Sequence, residues 1–212
     1  MRDTTKHLAD QLQPGRVYRR MDLAHHSKSI DRHLNQLLSI GMLKKLARGL
    51  YYAPRHSRFG PLQPSDEQVV KEFLRDTDFL IFSPSSYNTV GLGTTQLYNI
   101  TLVYNHKRQG VFKLGNRQFH FRVKPRFPKK LTPEFLYVDL LNNLDVLAED
   151  RDAVLSQARI KHLSFNQSLL HKSLDSYGNM ATRKLVQAWI SCWIISVTTS
   201  LPIGKQCWSD PN

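Results

Sequence analysis

SKSIDRHLNQLLSIGMLKKLARGLYYA, residues 27–53, reads as an amphipathic helix followed by a short basic hairpin. The apolar side chains that recur at helical spacing, and so predict one buried face, are Ile30, Leu34, Leu37 and Leu38. Ser27 or Ser29 can cap the start of this helix, and Gly41 can end it. The spacing therefore predicts a helix between Ser29 and Gly41.

The opposite face of this predicted helix is polar. The side chains that fall on it, at about 100° per residue, are Lys28, Arg32, Asn35, Gln36 and Ser39. Such side chains hydrogen-bond phosphates and base edges in DNA complexes. A polar face on a helix of a basic protein is also typical of simple solvation, so the helix by itself leaves both interpretations open.

The flanking segments favour DNA binding. An apolar strand follows the helix, and then come Arg48-Gly49 and a Leu-Tyr-Tyr strand that stops at Pro54. Upstream, residues 4–12 suit a first helix and residues 21–24 a shorter second one, with a break at Pro14-Gly15 between them. The order of helix, short helix, longer helix and hairpin predicts a winged helix-turn-helix.

Charge supports a polyanionic partner. The chain of 212 residues has a formal net charge of +13 and a pI near 9.9. Residues 1–60 carry 12 Lys/Arg and 4 Asp/Glu, and residues 79–133 carry 9 Lys/Arg and no acid. Positive charge at this density suits nucleic acid, and it would attract an acidic protein equally well.

The predicted fold class is α+β, in three parts. Residues 1–60 form the winged helix-turn-helix, residues 61–195 an α+β domain with a small sheet and a helical bundle, and residues 196–212 a tail. Prolines and glycines at 54–64 indicate a linker. Local signals also predict a hairpin about Gly115-Asn116 and a helix that starts at Thr132. Further helices are predicted at 150–163, 166–175 and 179–195.

Taken together, these features resemble the AbiEi family of antitoxins from type IV toxin–antitoxin (abortive infection) systems. The similarity runs over Gly15–Ala53, with its Arg48-Gly49-Leu50-Tyr51 wing. It continues over segments in the same order along the chain, which are Ser83-Pro84-Ser85-Ser86-Tyr87, Gly91-Leu92-Gly93, the basic hairpin, Pro133-Glu134-Phe135 and Val138-Asp139-Leu140-Leu141. The resemblance covers roughly residues 1–190, and the tail beyond departs from the pattern.

The resemblance implies a twofold role. The winged helix would bind inverted repeats in its own promoter and repress it, and the second domain would counter a nucleotidyltransferase toxin. The alternative is a stand-alone winged-helix transcriptional regulator, whose second domain senses a ligand or mediates oligomerisation. Neither the operator sequence nor the oligomeric state follows from the sequence.

The candidate DNA-binding residues divide by chemistry. Arg32, Asn35 and Gln36 suit base edges, because a forked side chain matches two groups on one base. The candidates for backbone contact are Lys28, Ser29, Lys44, Lys45 and Arg48. A wing arginine could instead enter the minor groove.

A second basic set falls in the acid-free block. It comprises Lys107, Arg108, Lys113, Arg117, Arg122, Lys124 and Arg126. These residues could form a second nucleic-acid surface, with Tyr104, Phe112, Phe119 and Phe121 stacking on bases, or a docking face for an acidic toxin. Strand alternation favours a core position for Phe119 and Phe121, and in that case the charges are merely solvated.

Nothing in the sequence favours catalysis. The predicted sheet carries no carboxylate between residues 79 and 133 that could hold a catalytic metal, and Cys192 and Cys207 show no zinc spacing. We therefore expect no catalytic residue, no metal and no cofactor. Polar residues at 1–20 and the interrupted apolar run at 185–204 predict no signal peptide, no membrane partner and a cytoplasmic location.

Overall fold

The computed structural model describes residues 3–92, 100–146 and 150–198, and its fold is mixed α+β. The α-helices of this part are α1 (Asp3–Asp10), α2 (Arg20–Ala24), α3 (Ile30–Ser39), α4 (Asp66–Leu74), α5 (Pro133–Asn142), α6 (Arg151–Lys161), α7 (Gln167–Tyr177) and α8 (Met180–Thr198). The strands are β1 (Val17–Arg19), β2 (Lys44–Ala47), β3 (Leu50–Tyr52), β4 (Arg55–Ser57), β5 (Gly60–Leu62), β6 (Phe79–Phe82), β7 (Thr101–Asn105), β8 (Gly110–Leu114) and β9 (Arg117–Val123).

The chain divides into two compact units. Unit 1 combines Met1–Ser83 with Asn99–Pro125, and unit 2 combines Pro84–Tyr98 with Arg126–Asn212. These units do not follow the predicted division at residue 60. The reason lies in packing, because the four-stranded sheet shares a hydrophobic core with the N-terminal strands.

The first half of unit 1 is a helical cluster on a small sheet. Helices α1, α2 and α3 pack around a core that includes Leu8, Leu34 and Leu37, all fully or almost fully buried. The antiparallel sheet has the strand order β1-β3-β2. Helix α3 ends as predicted, since Gly41 takes a φ of +78° that favours glycine.

The predicted linker at 54–64 is wrong in part, because most of it is a β-hairpin. Strands β4 and β5 pair antiparallel in a two-stranded sheet, with Arg55 opposite Leu62 and Ser57 opposite Gly60. Pro54 and Pro64 flank the two strands, Gly60 begins β5 next to the turn, and Pro61 lies within β5 opposite His56.

The second half of unit 1 is a mixed sheet covered by α4. Its strand order is β6-β7-β9-β8, with β7 parallel to β9 and the other pairs antiparallel. Ser65 caps α4 by accepting a hydrogen bond from the backbone N–H of Gln68. Val69, Val70 and the β9 ring of Phe119 are fully buried in the shared core.

Unit 2 is mostly helical. A 3-10 helix at Pro84–Val90 precedes α5, which begins at the predicted cap Thr132. The predicted helices at 150–163, 166–175 and 179–195 correspond to α6, α7 and α8. Inside this unit, the Tyr87 hydroxyl donates a hydrogen bond of 2.7 Å to Asp139. Asp139 is therefore a buried residue with a structural role.

The C-terminal prediction is only partly covered. Helix α8 continues to Thr198, so the first residues of the predicted 196–212 tail belong to a helix, and residues 199–212 lie outside the described part, as does Gly93. Within the described ranges, no helix has the length and apolar character required to cross a membrane.

Candidate nucleic-acid interface

Helix α3 presents the polar face that its sequence predicts. Ile30, Leu34 and Leu37 are buried, whereas Arg32 and Asn35 are exposed on the other side. Lys28 and Ser29 at the start of the helix are also exposed. A forked guanidinium and a primary amide, one turn apart on one exposed helix face, form a donor and acceptor set of the kind that reads base edges.

Gln36 is less available for contact with a base edge than the sequence predicts. It is half-buried, and its Oε1 accepts a hydrogen bond of 2.8 Å from the Thr5 hydroxyl of α1. This bond joins α1 to α3. We therefore assign Gln36 to the packing of these helices and keep Arg32 and Asn35 as the base-edge candidates.

A bidentate ion pair neutralises the single carboxylate of α3. Arg20 Nε donates to Asp31 Oδ1 at 2.7 Å, and Arg20 Nη2 donates to Asp31 Oδ2 at 2.6 Å. The hydrogen bond from Arg20 lowers the pKa of the Asp31 carboxyl. Without this partner, the carboxylate beside Arg32 would repel phosphate, so the pair preserves the positive character of the helix face.

The start of the helix differs from the simplest capping prediction. Ser29 occupies the N-cap position, but its side chain makes no capping hydrogen bond. The Ser27 hydroxyl instead accepts from the Ser29 backbone N–H at 3.1 Å and contacts His33 Nδ1 at 2.7 Å. The Ser29 hydroxyl is therefore not used to cap α3.

The basic residues after α3 line an edge strand and its turn. Lys44, Lys45 and Arg48 are all exposed. Lys44 and Lys45 pair in regular register with Tyr52 and Tyr51, and a register shift between Lys45 and Ala47 marks a bulge in β2. The backbone N–H of Arg20 donates to Gly49 O at 2.9 Å, which ties the β2–β3 turn to the start of α2.

Within unit 1, the second basic set does not form one patch. Lys107 follows β7, Arg117 begins β9 at the opposite end of the same sheet, and Arg126 belongs to unit 2. Arg122 is half-buried on β9 and Lys113 is exposed on β8.

Several of these cations have intramolecular roles. Lys107 pairs with Asp76 at 2.8 Å, and Arg117 pairs with Asp66. The Arg108 guanidinium lies 4.5 Å from the ring centroid of Phe73, and Lys124 Nζ lies 5.2 Å from that of Tyr104. Ion pairs and ring contacts of this kind account for much of the basic block.

The stacking role suggested for Tyr104, Phe119 and Phe121 is wrong, and Phe112 is half-buried. Tyr104, Phe119 and Phe121 are at most 1% exposed. The Phe112 ring packs against Phe73 and Phe121, with centroids 5.1 and 5.4 Å apart. Rings held in the core offer no face to a base, as strand alternation predicts for Phe119 and Phe121.

A further basic element was missed by the linker interpretation. The β4–β5 hairpin exposes Arg55, His56 and Arg58, and the Phe59 ring at its tip is fully exposed. Residues 32–65 carry six Lys/Arg and no Asp/Glu. This run of charge is visible in the sequence, and it covers α3 after Asp31, the β2–β3 turn and the hairpin.

Within residues 3–92, 100–146 and 150–198, no group of three or more His, Cys, Asp or Glu side chains is arranged to hold a metal ion. Asp150 serves as the N-cap of α6, where its side chain accepts from the N–H groups of Asp152 and Ala153. Asp139, as described above, is bonded to Tyr87. These carboxylates therefore have structural partners.

Comparison with known proteins gives a family and no function. A family model described as "Family of unknown function (DUF6088)" matches residues 18–164, well over half of the chain. No curated protein matches the sequence significantly.

Proposed function

Since the chain belongs to this family of unknown function, we propose its activity from its own residues: it is a winged helix-turn-helix protein that binds operator DNA and represses transcription. The element order α1-β1-α2-α3-β2-β3 and the strand order β1-β3-β2 support a winged helix. In this interpretation α3 is the recognition helix and the β2–β3 turn at Arg48-Gly49 is the wing.

One observation carries the proposal. Helix α3 exposes Arg32 and Asn35 on a face whose carboxylate, Asp31, is occupied by Arg20. Because this pair neutralises the carboxylate, the exposed face keeps the positive charge of Arg32, as an approach to phosphates requires.

The contacts follow from side-chain chemistry. With α3 in the major groove, Arg32 suits guanine O6 and N7, and Asn35 suits adenine N6 and N7. Lys44 and Lys45 then contact phosphates from the edge strand, and Arg48 reaches the backbone or the minor groove from the wing. Backbone contacts fix the register of the protein, and the two forked side chains read the sequence.

Operator selection tests the proposal. The full-length protein is used to enrich duplexes from a random library at moderate salt, and the enriched sequences are mapped by footprinting. We expect one consensus with protected major-groove positions. Failure to enrich any sequence over the starting library would contradict sequence-specific DNA binding.

We further propose that the protein acts as the antitoxin of a type IV toxin–antitoxin system. The support is the AbiEi-like order of segments through Val138-Asp139-Leu140-Leu141, together with a whole helical unit that operator binding does not use. A nucleotidyltransferase gene next to the coding region would favour this role. The direct test is growth rescue on co-expression with that enzyme.

The alternative remains a stand-alone regulator, with unit 2 sensing a ligand or mediating oligomerisation. Growth rescue distinguishes the two, because a regulator without a toxin partner gives none. Both versions share the operator-binding step, so operator selection tests that step independently of the toxin.

A further inference from the structure

The β4–β5 hairpin has an unusual tip. Its strands pair from Arg55–Leu62 to Ser57–Gly60, leaving Arg58 and Phe59 as the two-residue loop. The Phe59 side chain is 101% exposed, more than any other large apolar side chain in the part of the chain that the structure describes. A phenylalanine ring left in water forgoes the free energy that its burial against a partner would contribute.

The tip is held in a defined geometry. The Ser57 hydroxyl accepts from the Phe59 backbone N–H at 3.2 Å and donates to Gly60 O at 2.9 Å. Gly60 has a φ of +107°, which closes the turn at a position that a side chain would strain. Phe59 is therefore presented by a braced loop.

The hairpin contributes little to the core of unit 1. Its exposed residues are Arg55, His56, Arg58, Phe59, Pro61 and Leu62. A two-stranded ribbon with three residues a side is marginally stable by itself. An element that costs conformational entropy without burying apolar surface is better explained by binding than by folding.

Charge identifies the partner as a polyanion. The hairpin carries Arg55 and Arg58 and lies within the acid-free stretch 32–65, which also contains the wing and the part of α3 after Asp31. It leaves the N-terminal sheet just after Tyr52, which pairs with Lys44. The wing lies at the other end of β3, at Arg48-Gly49. The hairpin and the wing thus extend from opposite ends of the same central strand.

We propose that the β4–β5 hairpin is a second DNA-contacting element, which inserts Phe59 into a base step from the minor groove while Arg55 and Arg58 contact flanking phosphates. An apolar wedge next to arginine is the combination by which minor-groove proteins unstack a step. This inference rests on the proposed operator binding and deepens it, because it lengthens the operator beyond the α3 site.

The test uses the full chain and the operator that it selects from the random library. Phe59→Ala removes the wedge, and Phe59→Trp keeps an aromatic face. Ile160→Ala, the control, removes another exposed apolar side chain, which lies in unit 2 and is 77% exposed. Affinity, footprint length and the fluorescence of 2-aminopurine placed at the terminal protected minor-groove step are compared.

We expect Phe59→Ala to weaken binding by at least about fivefold, as for loss of one base–aromatic stack. It should also shorten the footprint at one end and abolish the rise in 2-aminopurine fluorescence. Phe59→Trp and Ile160→Ala should behave as the parent protein does. Arg58→Ala should lower the slope of log K against log salt by about 1.

Two failures are distinguishable. If the parent protein selects no operator, the proposed function fails and this inference fails with it. If the parent protein selects an operator but Phe59→Ala leaves affinity, footprint and fluorescence unchanged, the hairpin inference is overturned and operator binding by α3 stands. Exposed Phe59 would then belong to a protein interface.

Discussion

Arg20 at the start of α2 and Asp31 in the first turn of α3 are joined by two parallel hydrogen bonds of 2.7 and 2.6 Å. The backbone N–H of the same arginine donates to Gly49 O in the β2–β3 turn. One residue therefore links the helix preceding α3, α3 itself and the following turn. The relative placement of these three elements decides whether α3 and the turn can contact one duplex.

The ion pair predicts a pH dependence of stability. Arg20 lowers the pKa of Asp31, so the stabilisation is present above the pKa of the unfolded state and is lost as pH falls through the lower folded-state pKa. We expect Asp31→Asn to unfold more readily than the parent protein at pH 7, with the difference shrinking in acid.

Urea unfolding at a series of pH values measures this dependence. Asp10→Asn, which removes the same charge from an exposed site in α1, is the control. An Asp31→Asn deficit that persisted unchanged at the lowest pH would show that the carboxylate charge is not what stabilises the junction.

Substitutions of Arg32 and Lys44 should impair DNA binding in different ways. Arg32→Ala should cost about 1–3 kcal/mol on the selected operator and relax the preference at one base pair. Lys44→Ala should weaken all DNA similarly and reduce the salt slope by about 1. Titration of matched and single-mismatch duplexes at several salt concentrations separates the two, with Lys172→Ala in unit 2 as a control. Equal losses for Arg32→Ala on every duplex would remove its base-reading role.

Arg117 should act on stability and not on DNA affinity. It pairs with Asp66 and donates to Pro64 O at 2.8 Å, so it fastens β9 to the segment before α4. Arg117→Ala should lower the free energy of unfolding by about 1–3 kcal/mol. Lys113→Ala, on the exposed side of the neighbouring strand, should leave it unchanged. Chemical denaturation measures stability, and operator titration measures DNA affinity. If the folded Arg117→Ala protein lost affinity for DNA, Arg117 would belong to a nucleic-acid surface.

The Tyr87–Asp139 bond should stabilise unit 2. Tyr87→Phe leaves the buried Asp139 carboxyl without this donor, and such a loss costs about 1–3 kcal/mol. Tyr177→Phe removes a hydroxyl from the same unit as a control. Thermal unfolding followed by circular dichroism gives the comparison. If Tyr87→Phe unfolded at the same temperature as the parent protein, the hydrogen bond would make no net contribution to stability.

Local signals predicted individual elements well. The helical spacing of Ile30, Leu34 and Leu37 located α3, and Gly41 marked its end. The Gly115-Asn116 turn and the Thr132 cap located the β8–β9 hairpin and the start of α5. Each of these signals acts over a few residues through backbone preference and side-chain periodicity, and a sequence displays both directly.

The sequence by itself determined the α+β class, the polar face of α3 and the concentration of positive charge, because spacing and composition are properties of the chain alone. Only the tertiary structure decided which polar side chains already have a partner. Asp31 pairs with Arg20, Gln36 accepts a hydrogen bond from Thr5, and Lys107 and Arg117 pair with aspartates far away in sequence. The tertiary structure also decided that the segment after Pro54 forms a hairpin and that the four-stranded sheet belongs to unit 1. These outcomes depend on contacts between distant residues, which leave no periodic trace in the segments that make them.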